Sequence, residues 1–287
     1  MEALTRESPA KLNLTLRVLR KRDDGYHEIE SLVTRIGLCD TVRVSERPNG
    51  RRTLACNDAS IPNDETNLAL KAASALADRA AKDRGVHIEI TKRIPAGAGL
   101  GGGSSNAATT LMLLNELWRT ELTQPELARL GAAIGADVPL FFHEPLCVLR
   151  GPGERMEDLN LLFGAWAVVL FPKIHCDTAR VYRAWDPGAG RLQRPSLEHV
   201  LGKLDRPAEL MTLLFNDLEA PALATHPDLA AVARDAASAA GSPWRMTGSG
   251  STYFRLFDDP SRARACATAI HARCDLKAQV VTAGTPS

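Results

Sequence analysis

"RIPAGAGLGGGSSNAATTLMLLNELW" runs from Arg93 to Trp118, and its reading decides the fold. Five glycines, Gly97, Gly99, Gly101, Gly102 and Gly103, stand between the period-two run "VHIEI" (Val86 to Ile90) and a helical stripe of Leu111, Leu114, Leu117 and Trp118. The order is strand, glycine loop, Ser104 and Ser105, helix N-terminus. Such a joint can cradle phosphate. First-turn N–H groups and the helix dipole attract an anion, and side chains larger than hydrogen would hold it off the backbone. The competing reading, a linker or tight turn, fits poorly with ordered signals so close on both sides. The letters also match G-x-G-x-x-G at Gly97, Gly99 and Gly102. A dinucleotide fold needs that fingerprint in the first turn of a βαβ unit, whereas here antiparallel hairpins precede it and a second capped helix follows. No Lys-Ser or Lys-Thr closes the loop, so it is not a Walker A motif.

On the N-terminal side, Leu12, Leu14, Leu16 and Val18 alternate with Lys11, Asn13, Thr15 and Arg17 from Ala10 to Val18, predicting a strand with Lys11 and Asn13 on its polar face. "DDGYHE" (Asp23 to Glu28) holds an Asp-Gly turn, strands are predicted over Glu28 to Ile36 and Thr41 to Ser45, and a helix from Asn67 to about Asp83. On the C-terminal side, Thr123 and Glu126 form a T-x-x-E capping box, with Pro125 in the first turn and Gly135 as a stop. Beyond "GPGE" (Gly151 to Glu154) come strands near Trp166 to Phe171, Tyr253 to Phe257 and Lys277 to Thr282, and helices near Glu209 to Leu214, Asp228 to Ala240 and Ser261 to Arg273. The pattern predicts an α+β protein of two domains that meet near Gly153.

Length and composition agree with a globular chain: 287 residues, 45% of them hydrophobic. Lys and Arg number 35 against 34 Asp and Glu, a net charge of +1 that offers no global field for nucleic acid or an anionic membrane. The cluster Arg17, Arg20, Lys21 and Arg22 reads as a solvated hairpin end. Six cysteines show no C-x-x-C pair and no ligand spacing with His, as expected of reduced thiols. The start "MEALTRESPAK" has no apolar h-region, and the run Leu161 to Phe171 is too short to span a bilayer. A soluble, cytoplasmic, untargeted protein is the expectation.

"PAGAGLGGGSSNAA" resembles the phosphate-binding motif of the GHMP kinases, the superfamily of galactokinase, homoserine, mevalonate and phosphomevalonate kinases. "PAKLNLTL", "DGYHEIESL", "LGAAIGADVPLFF" and "MTGSGST" extend the resemblance over nearly the whole chain, in the order seen in one branch that phosphorylates a cytidyl diphosphate sugar alcohol. "DGYHE" discriminates most, because the other GHMP kinases lack it. Homoserine or mevalonate kinase activity is the alternative among the kinases, and a GHMP-type protein that binds without phosphorylating is the alternative of another class. The sequence departs from the family at Ala98, where relatives usually have a glycine.

The resemblance implies a GHMP kinase fold: a ribosomal protein S5 domain 2-like, ATP-binding N-terminal domain over 1–153 and a ferredoxin-like, substrate-binding C-terminal domain over 154–287. It implies ATP held by Asn67 at the adenine and by Pro95, Ala96, Gly97, Ala98, Gly99, Leu100, Gly101, Gly102, Gly103, Ser104 and Ser105 along the loop. Asn67 is equally placed to be a simple helix cap. Lys11 and Asp137 would stand beside the acceptor hydroxyl, Asp137 as general base and Lys11 as the cation stabilising developing charge. Read as isolated residues, they are equally a solvent-facing lysine and a turn cap. Tyr26, His27 and Tyr182 would take the cytosine, and Asn13, Thr178, Thr247, Gly248, Ser249 and Gly250 the diphosphate and sugar alcohol. Mg²⁺ is expected with ATP, with Ser105 its candidate ligand.

Overall fold

The structure, a computed structural model, describes residues 3–48, 50–79, 84–185 and 193–284. In chain order it begins with β1 (Ala3–Asn13), β2 (Thr15–Lys21), β3 (His27–Arg47), β4 (Arg52–Cys56), α1 (Leu68–Arg79), β5 (Gly85–Thr91), α2 (Gly102–Leu117) and α3 (Gln124–Ala132). A 3₁₀ turn at Pro139–Phe142 leads to β6 (Leu146–Gly151), β7 (Arg155–Asp158), β8 (Gly164–Phe171) and α4 (Thr178–Arg183). Then come α5 (Leu197–Leu201), α6 (Pro207–Leu213), β9 (Phe215–Asn216), α7 (Glu219–Thr225), α8 (Asp228–Ala240), β10 (Arg245–Met246), β11 (Tyr253–Phe257), α9 (Pro260–Arg273) and β12 (Lys277–Gly284). No helix among the described residues is long and apolar enough to cross a membrane.

The chain forms two compact units. The first contains the start of the chain up to Ala10, Leu38–Ala96 and Gly101–Glu144. In its sheet, β5 pairs antiparallel with the C-terminal half of β3 (Thr41 opposite Thr91) and parallel with β4. Val86, Ile88 and Ile90 are buried and His87 and Glu89 less so, the alternation expected of a strand with one covered face. Helix α1 packs on α2. Its buried Ala69, Ala72, Ala73 and Ala77 are small enough to allow close approach. Ten of the sixteen residues of α2 are buried, so it is a core helix whose start is held from several sides. The capping box of α3 is present, the Glu126 carboxylate accepting from the Thr123 N–H at 2.9 Å and hydroxyl at 2.7 Å.

The second unit contains Lys11–Gly37, Gly97–Leu100 and the chain from Pro145 onward. Its strand order is β10-β11-β8-β12-β3-β2-β9, antiparallel except for the β2/β9 pair. Residues Ala165 and Ala167 to Leu170 of β8 are 3% exposed or less, as befits a central strand. Helix α9 packs on β8 and β12. Among the described pairings only β4/β5 and β2/β9 are parallel, so the chain is an α+β protein and not a doubly wound parallel sheet.

Three local expectations change. The single strand predicted over Ala10 to Val18 is two, β1 and β2, separated at Leu14, whose N–H donates to the Leu32 carbonyl at 2.8 Å. The two strands predicted over Glu28 to Ile36 and Thr41 to Ser45 are one, β3, of 21 residues. Gly37, in the gap between the two predicted strands, marks a close approach: a Cβ there would lie 2.5 Å from Thr282 Oγ1. The first helix ends at Arg79 within the described residues, and Asp83 lies outside them.

Candidate active site

In the first unit the glycine loop ends at Gly101, a left-handed N-cap (φ 70°), and α2 begins at Gly102. No side chain caps this helix and no acidic residue lies in its first turn, so its leading N–H dipoles point where an anion could sit. Gly103 is exposed, and Gly101, Gly102 and Ser104 are half-buried. Ser105 is fully buried, its hydroxyl accepting from Ser8 Oγ at 2.7 Å. Asn67 caps α1, accepting the Ala69 N–H at 2.9 Å and donating to the Pro62 carbonyl at 2.8 Å. Asp137 is half-buried in the turn between α3 and the 3₁₀ segment, where the Val138 N–H donates to the Gly135 carbonyl at 3.1 Å.

In the second unit Lys11 and Asn13, expected on a polar face, are 6% and 7% exposed. Lys11 Nζ donates to Asn13 Oδ1 at 2.6 Å. The Asn13 N–H donates to Thr247 Oγ1 at 2.8 Å, and its side-chain amide to Ser31 Oγ at 2.8 Å. The Lys11 N–H donates to the Leu100 carbonyl at 3.0 Å, pinning the first glycine loop to β1. The two loops meet backbone to backbone. A Cβ on Gly99 would lie 2.8 Å from the Gly250 carbonyl oxygen and 2.9 Å from that of Thr247, and one on Gly248 would lie 3.4 Å from Lys11 Nζ. Lys11, Asn13, Gly99, Thr247, Gly248 and Gly250 are thus brought together. Thr178 and Ser249 share a hydroxyl–hydroxyl hydrogen bond of 2.8 Å.

His27 packs against Tyr182 (ring centroids 5.0 Å apart, planes at 37°) and edge-on against Trp185 (5.6 Å, 88°). Burial, reinforced by the Lys21 charge, lowers its pKa below the usual histidine value and favours the neutral ring. Tyr26 is 66% exposed and its ring is absent from this cluster. Pro95 and Ala98 are half-buried and buried, and Ala96 and Gly97 are exposed.

Residues 67–144 match the family described as GHMP kinases N terminal domain, and residues 194–276 match GHMP kinases C terminal. A 4-diphosphocytidyl-2-C-methyl-D-erythritol kinase of Geobacter sulfurreducens is 36% identical over 98% of this chain and 100% of its own length. The chain belongs to the 4-diphosphocytidyl-2-C-methyl-D-erythritol kinase family of the GHMP kinases. A second member of that kinase family, from Shouchella clausii, is 38% identical over 94% of this chain and 91% of its own. A crystal structure of a 4-(cytidine 5'-diphospho)-2C-methyl-D-erythritol kinase superposes with a TM-score of 0.82 at 37% identity, covering 98% of this chain and all of the other. Homoserine kinase from Cytophaga hutchinsonii shares the fold, with a TM-score of 0.74 at 14% identity over 99% and 95% of the two chains.

Several residues around this kinase-family site escape a reading of the motifs. Asn216 donates to the carbonyls of Met246 (2.9 Å) and Gly248 (2.8 Å) and so fixes the second glycine loop. Trp185 braces His27. Asp40, Lys92 and Asn106 form a buried polar network beside the first loop. Asp40 shares the inward parity of Leu38, Val42 and Val44, a charged residue among apolar ones, and that is its signal in the sequence. A cavity of about 530 Å³ lined by Trp185, Arg194, Phe215, Asp217, Glu219 and Arg245, among others, contains none of the predicted site residues. Its charges are balanced, Arg194 pairing with Asp217 at 3.0 Å, and burial pushes the pKa of Glu219 up and that of Arg245 down.

Proposed function

We propose that the chain transfers the γ-phosphoryl group of ATP to the 2-hydroxyl of 4-diphosphocytidyl-2-C-methyl-D-erythritol, a step of non-mevalonate isoprenoid precursor biosynthesis carried out in the cytoplasm. The observation that carries this reading is the meeting of the two glycine loops around the buried Lys11–Asn13 pair. Phosphoryl transfer is mostly positioning and charge stabilisation around a loose transition state, and amides beside a fixed ammonium supply both.

In this reading the loop from Pro95 to Ser105 holds the phosphates of ATP and Asn67 lies at the adenine. Residues 1–153 are read as the ATP-binding domain and 154–287 as the substrate-binding domain, with a family match on either side of that division, while Lys11–Gly37 and Gly97–Leu100 pack in the same compact unit as the chain from Pro145 onward. Lys11, held by Asn13, stabilises the negative charge that develops on the acceptor oxygen. Asp137 takes the hydroxyl proton as the bond to phosphorus forms. A carboxylate is a far weaker base than an alkoxide, so transfer occurs in the transition state and not before it. The His27 ring, its neutral form favoured, reads cytosine with Tyr182 and Tyr26, while Asn13, Thr178 and Thr247 to Gly250 hold the diphosphate and erythritol.

ATP and Mg²⁺ are the implied partners. Glycine backbone without side-chain caps fits phosphate. For the metal the fit is poorer, because the Ser105 hydroxyl is buried against Ser8 and no group of three or more His, Cys, Asp or Glu among the described residues could hold an ion. The phosphates of ATP would then supply most of the ligands of Mg²⁺, and the ion would offset their charge.

The test is incubation with ATP and each of 4-diphosphocytidyl-2-C-methyl-D-erythritol, homoserine and mevalonate, following ADP release. Turnover with the cytidyl compound alone is expected. Turnover with homoserine or mevalonate, and none with the cytidyl compound, would overturn the reading.

A further inference from the structure

Asp40 lies on β3 with no exposed surface, and its carboxylate reaches both flanks of the first glycine loop. Oδ1 accepts the N–H groups of Arg93 (2.7 Å) and Ile94 (2.9 Å), the residues that lead from β5 into the loop. Oδ2 accepts Lys92 Nζ and, at 3.0 Å, the side-chain amide of Asn106, which stands just beyond the loop on α2. That amide also donates to Ser8 Oγ at 3.0 Å, and Ser8 donates to Ser105. Lys92 Nζ additionally donates to Asn106 Oδ1 at 3.3 Å.

We propose that this buried network is a clamp on the ATP loop, with Asp40 a positioning residue that sets the separation and direction of the loop's two ends. A buried ion pair in a sheet face of Leu38, Val42 and Val44 is weak support for the fold, since apolar side chains in its place are often no less stable. The pair therefore leaves room for another role. The groups it joins supply one, because its partners are the loop-flanking amides and the start of the helix. A loop that presents amides to phosphate works only if those amides are fixed before the ligand arrives. Lys92 matches the carboxylate charge from within the network, and its ammonium sits close to the loop as well, since a Cβ on Gly102 would lie 3.1 Å from it.

The inference rests on the reading of this loop as the ATP site, and the experiment separates the two. Calorimetric binding of a non-hydrolysable ATP analogue, the KM of each substrate and the Tm are measured for the unaltered protein, Asp40→Asn and Ser8→Ala. Asp40→Asn keeps an acceptor for the Arg93 and Ile94 amides but turns a donor toward Lys92 and Asn106. Its analogue affinity should fall about tenfold or more, in line with leaving a buried polar group unsatisfied. The KM for ATP should rise in step while that for the cytidyl substrate stays unchanged. Ser8→Ala, which leaves the ion pair intact, should weaken ATP binding by about threefold with little change in Tm. Failure of the analogue to bind the unaltered protein would overturn the ATP reading and the clamp with it. Equal binding to all three proteins would overturn the clamp alone, as would a lowered Tm with both KM values unchanged, the signature of a merely structural role. If Asp40→Asn does not fold, Ser8→Ala decides, and the absence of a selective loss for ATP overturns the proposal.

Discussion

Gly99→Ala tests the meeting of the two glycine loops. Gly99 has φ +76°, and a Cβ there would lie 2.8 Å from the carbonyl oxygen of Gly250 and 2.9 Å from that of Thr247. Both obstacles are backbone, so no side chain can swing aside. The left-handed conformation costs alanine about 1–2 kcal/mol, and forcing a methyl group into packed backbone about 1–3 kcal/mol. Together they predict a loss of roughly 2–5 kcal/mol, which for a chain of this size lowers Tm by roughly 4–20 °C. Gly103→Ala is the matched control for stability alone, since Gly103 belongs to the proposed ATP loop and its kinetics are not a reference. Its φ is not positive, a Cβ would touch only Leu68 Cδ1 at 3.8 Å, and the residue lies inside α2, where alanine is favoured over glycine by about 1 kcal/mol. Its Tm should hold or rise. Thermal unfolding by circular dichroism reads both variants, with kinetics at saturating ATP for Gly99→Ala. If Gly99→Ala melts like the unaltered protein and turns over at the same rate, the loops are not in the contact described here.

His27→Ala should raise the KM for the cytidyl substrate and leave that for ATP unchanged; equal loss for both would refute a dedicated base pocket. Trp185→Ala removes an edge-on ring contact of about 0.5–1.5 kcal/mol, so the same KM should rise about twofold to tenfold, and no change would mean that His27 does not depend on Trp185. The lowered pKa of His27 has a definite sign: the ring is neutral above about 6.5 and gains its proton only as pH falls below that. The KM for the cytidyl substrate should accordingly stay flat from pH 8 to about 6.5 and rise at lower pH; a rise beginning above 6.5 would contradict it. Lys11→Met should lower kcat, and its combination with Asp137→Asn should be little worse than the poorer single variant, because both residues serve one charge and one proton. Additive losses in the double variant would separate their roles.

Where a single element decides its own conformation, the sequence was sufficient. The step from β5 through glycine to α2, the helix Asp228–Ala240 and the strand Tyr253–Phe257 follow from local periodicity and lie where it puts them. The gap between the strands predicted to end at Ile36 and begin at Thr41 conceals Asp40, and Gly37 within it answers to Thr282, far along the chain. Lys11 and Asn13 follow the polar parity of β1, but parity says nothing about whether a second layer covers that face; Thr247 and Ser31 do. The loops at Gly97 and Thr247 are visible as motifs, whereas their contact is not. Asn216 and Trp185 belong to no motif, and only their partners mark them.

The most direct test of the account is the single-turnover rate of phosphoryl transfer from ATP to 4-diphosphocytidyl-2-C-methyl-D-erythritol, measured for the unaltered protein and for Asp137→Asn. Asn keeps the shape of the side chain and removes the proton acceptor and its charge. A general base contributes about 10² to 10⁴ in rate, roughly 3–5.5 kcal/mol. The account predicts transfer by the unaltered protein and a loss of at least that order in the variant, with ATP binding and Tm close to those of the parent. No transfer by the unaltered protein, or a variant that keeps more than about a tenth of the rate, would contradict it.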